Sequence, residues 1–129
     1  MSDAVPADLE ELLDGDAVVA HLATSTDDRP HVAPVWFRYD DGAVEVMTTG
    51  RKLANLRENP RVALSVHRGP AADPEWTATL FGTATVVDDE AAARDANRRI
   101  NLKYGADEDD WAGNTLVRVA VGSASFRRY

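Results

Sequence analysis

Residues 47–67 read MTTGRKLANLRENPRVALSVH, and the order of elements within them decides the fold. The stretch Ala43 to Thr49 (AVEVMTT) is apolar and β-branched enough for a strand. Arg51 to Asn59 (RKLANLREN) then places Leu53 and Leu56 on one helical face, and Pro60 stops the helix because proline disfavours helical geometry in the residue before it. Val62 to His67 returns to strand spacing. The helix start is unusual: its N-terminal N–H groups carry partial positive charge, so adjacent Arg51 and Lys52 should each cost about 0.3–1 kcal/mol. Two readings resolve the conflict. An anion such as phosphate can sit on the free N–H groups, the Thr48 and Thr49 hydroxyls and both cations. Alternatively the first turn is solvated, with Arg51 and Lys52 paired to acids such as Glu45 or Glu58.

Outward from this segment the chain alternates strands with tight turns. Upstream, Pro6 to Leu13 predicts a short amphipathic helix through Leu9, Leu12 and Leu13, ended by Asp14, Gly15 and Asp16. Ala17 to Thr24 is a buried-type strand, Ser25 to Pro30 a turn, and His31 to Tyr39 a second strand with Pro34 at a bulge or on an unpaired side. Asp40, Asp41 and Gly42 mark a hairpin. Downstream, Gly69 to Pro74 is a loop and Trp76 to Val87 a long strand bent at Gly82. Asp88 to Tyr104 is a helix capped by Asp88 or Asp89, with Ala93, Ala96, Ile100 and Tyr104 as its apolar stripe and Gly105 as its stop. The acidic stretch Asp107 to Asp110 is solvated, and Thr115 to Phe126 alternates as a sixth strand. Six strands joined by hairpins and three helices predict an antiparallel sheet or barrel of the α+β class, formed by residues 1–129 as one domain. A parallel nucleotide-binding fold is disfavoured, since it needs helical crossovers where short turns stand here.

Composition narrows the function. The 129 residues contain no cysteine, which removes thiolate catalysis and cysteine-ligated metals, and His21, His31 and His67 lie on three different strands without metal-ligand spacing. Fourteen Lys and Arg against 22 Asp and Glu give a net charge of −8, which argues against nucleic acid or an anionic membrane as partner. No apolar run approaches a membrane span, and the amino terminus is acidic where a signal peptide is basic, so a soluble, cytoplasmic protein is expected. Only Lys52 and Lys103 are lysines; this lysine-poor, aspartate-rich composition resembles that of salt-loving organisms and predicts stability that rises with ionic strength, as screening relieves carboxylate repulsion.

The run MTTGRKLANLRENPRVALSVH, with PHVAPVWFRYDDG before it and WTATLFGTATVVDD after it, resembles the pyridoxamine 5′-phosphate oxidase-like split β-barrel family of flavin- and deazaflavin-dependent oxidoreductases. The resemblance extends from Val18 to Phe126, its best motif being N-L-x-x-N-P-R-V at Asn55 to Val62. It implies a six-stranded antiparallel split barrel and a homodimer with the cofactor in the cleft between subunits. Lys52 takes the family's phosphate-binding position, with Arg51 and Thr49 beside it. Pro34, Val35 and Trp36 match the strand that faces the isoalloxazine ring, and Val46, Met47 and Thr48 match its neighbour. FMN-binding members often carry Ser-x-Lys where this chain has Gly50-Arg51-Lys52, a form resembling the branch that uses the deazaflavin coenzyme F-420, so FMN is implied with F-420 as the alternative. The family's longer members have a carboxy-terminal Trp and Arg segment for substrate phosphate; this chain reads Arg127, Arg128, Tyr129, so pyridoxamine phosphate oxidation itself is not expected.

Lys103 and Trp111 stand near the end of the last helix, where such proteins reach the partner's cofactor. His67 is a further candidate, with a hydrogen-bonded strand histidine as the plainer reading, and Trp36, Trp76 and Trp111 can stack on a ring or pack in core and interface. Phe37, Leu80 and Phe81 read as core or dimer packing, with Trp36 and Phe37 among the apolar residues one subunit leaves uncovered. No side chain reads as a general acid or base, which suits hydride or electron transfer to or from a small organic substrate. The alternatives are a non-catalytic flavin-binding or storage protein and a structural dimer with an empty cleft.

Overall fold

Strand alternation sorts the chain into a core and an outer surface. The computed structural model describes residues 4–70 and 72–129; Ala71, inside the predicted 69–74 loop, lies outside the described residues. The helices are α1 (Ala7–Gly15), α2 (Gly50–Glu58) and α3 (Glu90–Lys103). The strands are β1 (Ala20–Thr26), β2 (Arg29–Val35), β3 (Arg38–Asp40), β4 (Ala43–Thr48), β5 (Arg61–Arg68), β6 (Trp76–Val87) and β7 (Thr115–Arg128). Val62, Leu64 and Val66 of β5 meet Ala78 and Leu80 of β6, Val44 and Val46 of β4 and Val117 and Val119 of β7 in one apolar cluster, which Leu9 and Leu13 of α1 also enter. Among the described residues no helix is long and apolar enough to cross a membrane.

All pairings are antiparallel, in the order β2-β1-β5-β6-β7-β4-β3. The two edge strands are successive in the chain, joined only by Trp36 and Phe37. Flat, seven strands at about 4.8 Å spacing would hold those edges roughly 29 Å apart. The three Cα steps from Val35 to Arg38 span at most about 11 Å. The sheet therefore curls until its edges nearly meet, giving an α+β split barrel whose hydrogen-bonded ladder stays open between β2 and β3.

The split corrects the predicted strand count from six to seven. The run His31 to Tyr39 is not one strand, because its first part pairs with β1 and its last part with β4. Phe37, at the crossing, is buried within its own chain rather than left for a partner. Its N–H donates to the Tyr104 hydroxyl (3.2 Å) and its carbonyl accepts from Lys103 Nζ (3.2 Å), so α3 supplies the partners that a ladder does not. Pro34 lies in β2, an edge strand, where a missing donor is tolerated. The predicted six-residue turn shrinks to Asp27-Asp28, both at positive φ (52° and 60°), a two-residue hairpin that lets β1 and β2 pair out to Thr26 and Arg29.

Across β3, β4 and β7, Arg38 pairs with Glu45 and Glu45 with Arg118 in register. The buried Glu45 carboxylate accepts from Arg38 Nη1 (2.5 Å) and Arg118 Nη1 (2.8 Å), which matches one buried anion with two cations. Asp89 accepts from the N–H groups of Ala91 and Ala92 and caps α3 as its sequence predicts.

Gly82 marks the predicted irregularity: the β6–β7 register shifts between Phe81 and Gly82, leaving Gly122 of β7 unpaired. Before this bulge Val117, Val119 and Val121 face the core; after it Ala124 and Phe126 do. A Cβ on Gly82 would lie 2.4 Å from the Ala120 carbonyl oxygen and 2.8 Å from Val119 Cγ1, contacts that force β7 to move. Gly82→Ala is therefore expected to lower stability by about 1–3 kcal/mol, the usual cost of overpacking. Urea unfolding measures it, and an unchanged midpoint would show that the two strands have slack there.

Candidate functional site

In β4, Val44, Val46 and Thr48 point into the barrel, so Met47 points out. Over that outer face lies α3, and between them opens a cleft of about 300 Å³, at the small end of the range for ligand sites. Pro34, Val35 and Trp36 form the wall at the split, Asn97, Ile100 and Asn101 of α3 the facing wall, and Lys52 the end nearest α2. Trp111 and Asn114, in the turn before β7, and Val19, just before β1, complete the lining. Trp36 stacks on Tyr104 with centroids 4.8 Å apart and planes 3° from parallel. The Tyr104 hydroxyl donates to the Val18 carbonyl (2.6 Å), and burial raises its pKa. The wall is thus rigidly built before any ligand arrives.

Six of the residues singled out from sequence come together here: Pro34, Val35, Trp36, Met47, Lys52 and Trp111. The others lie elsewhere. Val46 is in the core, and the buried Thr48 hydroxyl donates to the Thr115 carbonyl (3.1 Å), because residues 46 and 48 share the face opposite to Met47. Thr49 precedes α2 without capping it by its side chain, and its carbonyl accepts from Lys52 Nζ at 3.4 Å. Arg51, about 100° around the helix from Lys52, opens instead on a second cleft of about 540 Å³ with Arg29, His31, Thr26 and Asn55. His67 lies in β5 opposite Thr77, away from the cleft.

Lys103 is turned from the cleft into the split. Its Nζ donates to the Leu13 carbonyl (3.0 Å) and the Phe37 carbonyl and stands 4.1 Å above the Phe37 ring. Leu80 is core, whereas Phe81 is exposed on the outer sheet face.

The first turn of α2 holds no acidic residue, and its N-cap Thr49 makes no side-chain capping bond among the described residues. The proposed pairing to Glu45 is not made, since Arg38 and Arg118 occupy that carboxylate. Among the described residues neither Arg51 nor Lys52 has an ion-pair partner, Glu58 included. Free helix N–H groups and an unpaired ammonium therefore lie at the end of an apolar, aromatic cleft. That arrangement suits a flat ring with an anionic tail.

Asn97, Asn101, Val19 and Asn114 were not singled out from sequence, and Ile100 was read there only as part of the apolar stripe of α3. Asn97 and Asn101 are only 4% and 1% exposed, and an amide four residues from another on a buried helical stripe is the signal that was available, because buried amides need partners. Their side chains donate to the Asp110 carbonyl at 2.9 and 2.8 Å, and Asn101 also to the Glu108 carbonyl at 3.2 Å.

The sequence pattern of the family described as Pyridoxamine 5′-phosphate oxidase matches residues 6–128. Among solved structures, an F-420 reductase is similar at 25% identity and a TM-score of 0.72, over 89% of this chain and 94% of that one. A FAD-binding protein from Mesorhizobium loti is similar at 21% identity and a TM-score of 0.77, over 97% and 96% of the two chains. A conserved hypothetical protein from Mycobacterium tuberculosis superposes at a TM-score of 0.81 with 20% identity, over 99% of this chain and 85% of that one. At these last two identities the likeness is one of fold. No curated protein sequence matches the chain.

Burial pushes the Lys103 ammonium down from its ordinary 10.5 to about 8, against the opposing pull of Asp14 and Asp16. Between those two values the unfolded chain holds a proton that the folded chain has released, so stability rises with pH through this window and falls as pH drops through about 8. Tyr104, raised by burial, acts in the other sense only above the ordinary tyrosine range of about 10. Melts of wild type and Lys103→Met at pH 7 to 10 are expected to show the wild type gaining on the variant as pH rises. Parallel curves would mean that the ammonium keeps an ordinary pKa in the split.

Proposed function

The chain belongs to the pyridoxamine 5′-phosphate oxidase family, and from that premise we propose that it is a homodimeric oxidoreductase that binds FMN, or alternatively coenzyme F-420, in the cleft under α3. The observation that carries this reading is Lys52 in the first turn of α2, whose N-cap side chain makes no capping bond, lining without an ion-pair partner an apolar cleft walled by Trp36 and Met47. Lys52 and the helix N–H groups hold the cofactor's phosphate, with Arg51 adding positive potential from the other side of the helix. The ring lies against Pro34 to Trp36, and Met47, Ile100 and the tryptophans keep water from it. When bound, the cofactor supplies hydride or electron transfer to or from a small organic substrate. Among the described residues Lys52 is the one titratable side chain in the cleft lining, so the protein's part is to anchor, orient and exclude solvent rather than to move protons. The likeness to an F-420 reductase and to a FAD-binding protein supports a tricyclic cofactor without choosing among them.

A row of outward apolar residues supports the dimer. Val32 pairs with Ala23, Ala23 with Ala63 and Ala63 with Phe81, one line across four strands, with Val32 64% and Phe81 52% exposed. A stable interface over this row buries more than about 1,200 Å² in total. Phe81→Asp is expected to yield monomers at micromolar concentration in sedimentation experiments; a wild type that is itself monomeric refutes the shared interface.

Lys52→Ala is expected to weaken cofactor affinity by about 1.5–3 kcal/mol, tenfold or more, because a charge-assisted contact is lost. Apo stability should hold or rise slightly, since a cation leaves a helix N-terminus. Titration of both proteins with FMN and with F-420, beside apo melts, separates the outcomes. Equal affinity in wild type and variant removes Lys52 from the phosphate site, and binding without turnover against any reductant favours the storage reading.

A further inference from the structure

Trp111 is an exception in its own backbone. Its φ is +62°, a left-handed conformation that bulky side chains rarely adopt, and its side chain is 62% exposed, so core packing does not impose it. The peptide groups on both sides of it are nonetheless fixed. The carbonyl of Asp110, just before it, accepts from both Asn97 Nδ2 and Asn101 Nδ2, and the Trp111 carbonyl accepts from the Asn114 N–H at 3.0 Å. Two buried amides, one helical turn apart on α3, thus converge on the single carbonyl that precedes the strained residue, and that residue lines the cleft.

We propose that Asn97 and Asn101 are positioning residues that hold Trp111 in its left-handed conformation as a stacking wall for a planar, electron-poor ring in the cleft. The inference rests on the ring-binding reading above and adds what fixes the ring's outer face. Strain of this kind persists where the surroundings over-determine it and a function uses it. The indole lines the cleft with its backbone at this positive φ, so a change of φ there would redirect it. The indole is electron-rich and presents a broad face, the partner an oxidised flavin or deazaflavin ring prefers in offset stacking.

The test uses FMN and coenzyme F-420 as probes, with apo melting as the second readout. Trp111→Gly is expected to raise the apo melting temperature, since glycine adopts positive φ freely. It should lower affinity for whichever probe the wild type binds by about two- to tenfold, the range for an aromatic pair. Trp111→Phe should retain most of the affinity. Asn101→Ala should lose affinity by a similar factor, yet cost nothing further when added to Trp111→Gly, because its effect runs through the indole. A purely structural asparagine would instead add its loss on the glycine background, and that result overturns the positioning role. If wild type binds a probe and Trp111→Gly binds it equally well, the stacking wall is refuted while the ring-binding reading stands. If wild type binds neither probe, both fall together.

Discussion

The molecule turns on the two backbone groups of Phe37. The chain must cross there from one edge of a curled sheet to the other, and at a crossing no strand is available to pair with. A buried amide left without partners costs about 1–3 kcal/mol per group. Here the Tyr104 hydroxyl accepts from the N–H and Lys103 Nζ donates to the carbonyl, both from the end of α3, so the helix is tied to the split by the need for hydrogen bonds as well as by apolar contact. The same two side chains donate to the Val18 and Leu13 carbonyls, which draws the last turn of α1 and the segment before β1 to the same point.

Once α3 is pinned at its C-terminus, the cleft follows. Its remaining residues lie over β4, where Met47 of the sheet and Ile100 of the helix line the space between them without filling it. The cleft is what remains between a helix held at one end and a curved sheet. Trp36 belongs to both features, stacked on Tyr104 at the split and forming the wall of the cleft, so the geometry that closes the barrel also shapes the site.

Much of this was legible in the sequence where the signal is local. Pro60 ends α2, Asp89 caps α3, and Asp41-Gly42 at φ 42° and 85° turns the β3–β4 hairpin, each through chemistry confined to a few residues. The split was not legible, because HVAPVWFRY remains apolar and aromatic while its partner strand changes, and nothing local marks a change of partner. Site residues followed the same rule. Those on the outer face near the motif, Met47 and Lys52, met in the cleft; Val46 and Thr48 did not, because strand alternation turns them inward. Asn97 and Asn101 escaped notice because amides usually read as surface, and their acceptor is a backbone carbonyl that no side-chain pattern announces. Lys103 resembled a ligand-binding lysine for want of any sign that two carbonyls would draw it inward.

The strand order also sets a schedule for the chain as it is made. β7 lies between β6 and β4, so the β3–β4 hairpin has no in-sheet neighbour other than a strand that is translated last among those described. A nascent chain that has emerged through β6 can assemble β2, β1, β5 and β6 as a sheet, yet that sheet carries one raw edge and a detached hairpin tethered through Trp36 and Phe37. Glu45 then waits without Arg118, and the left half of the barrel waits without the right. A premature stop between residues 88 and 114 therefore does not trim this protein; it leaves two fragments of a sheet on one polypeptide, with an exposed edge of the kind that invites aggregation and recruits chaperones.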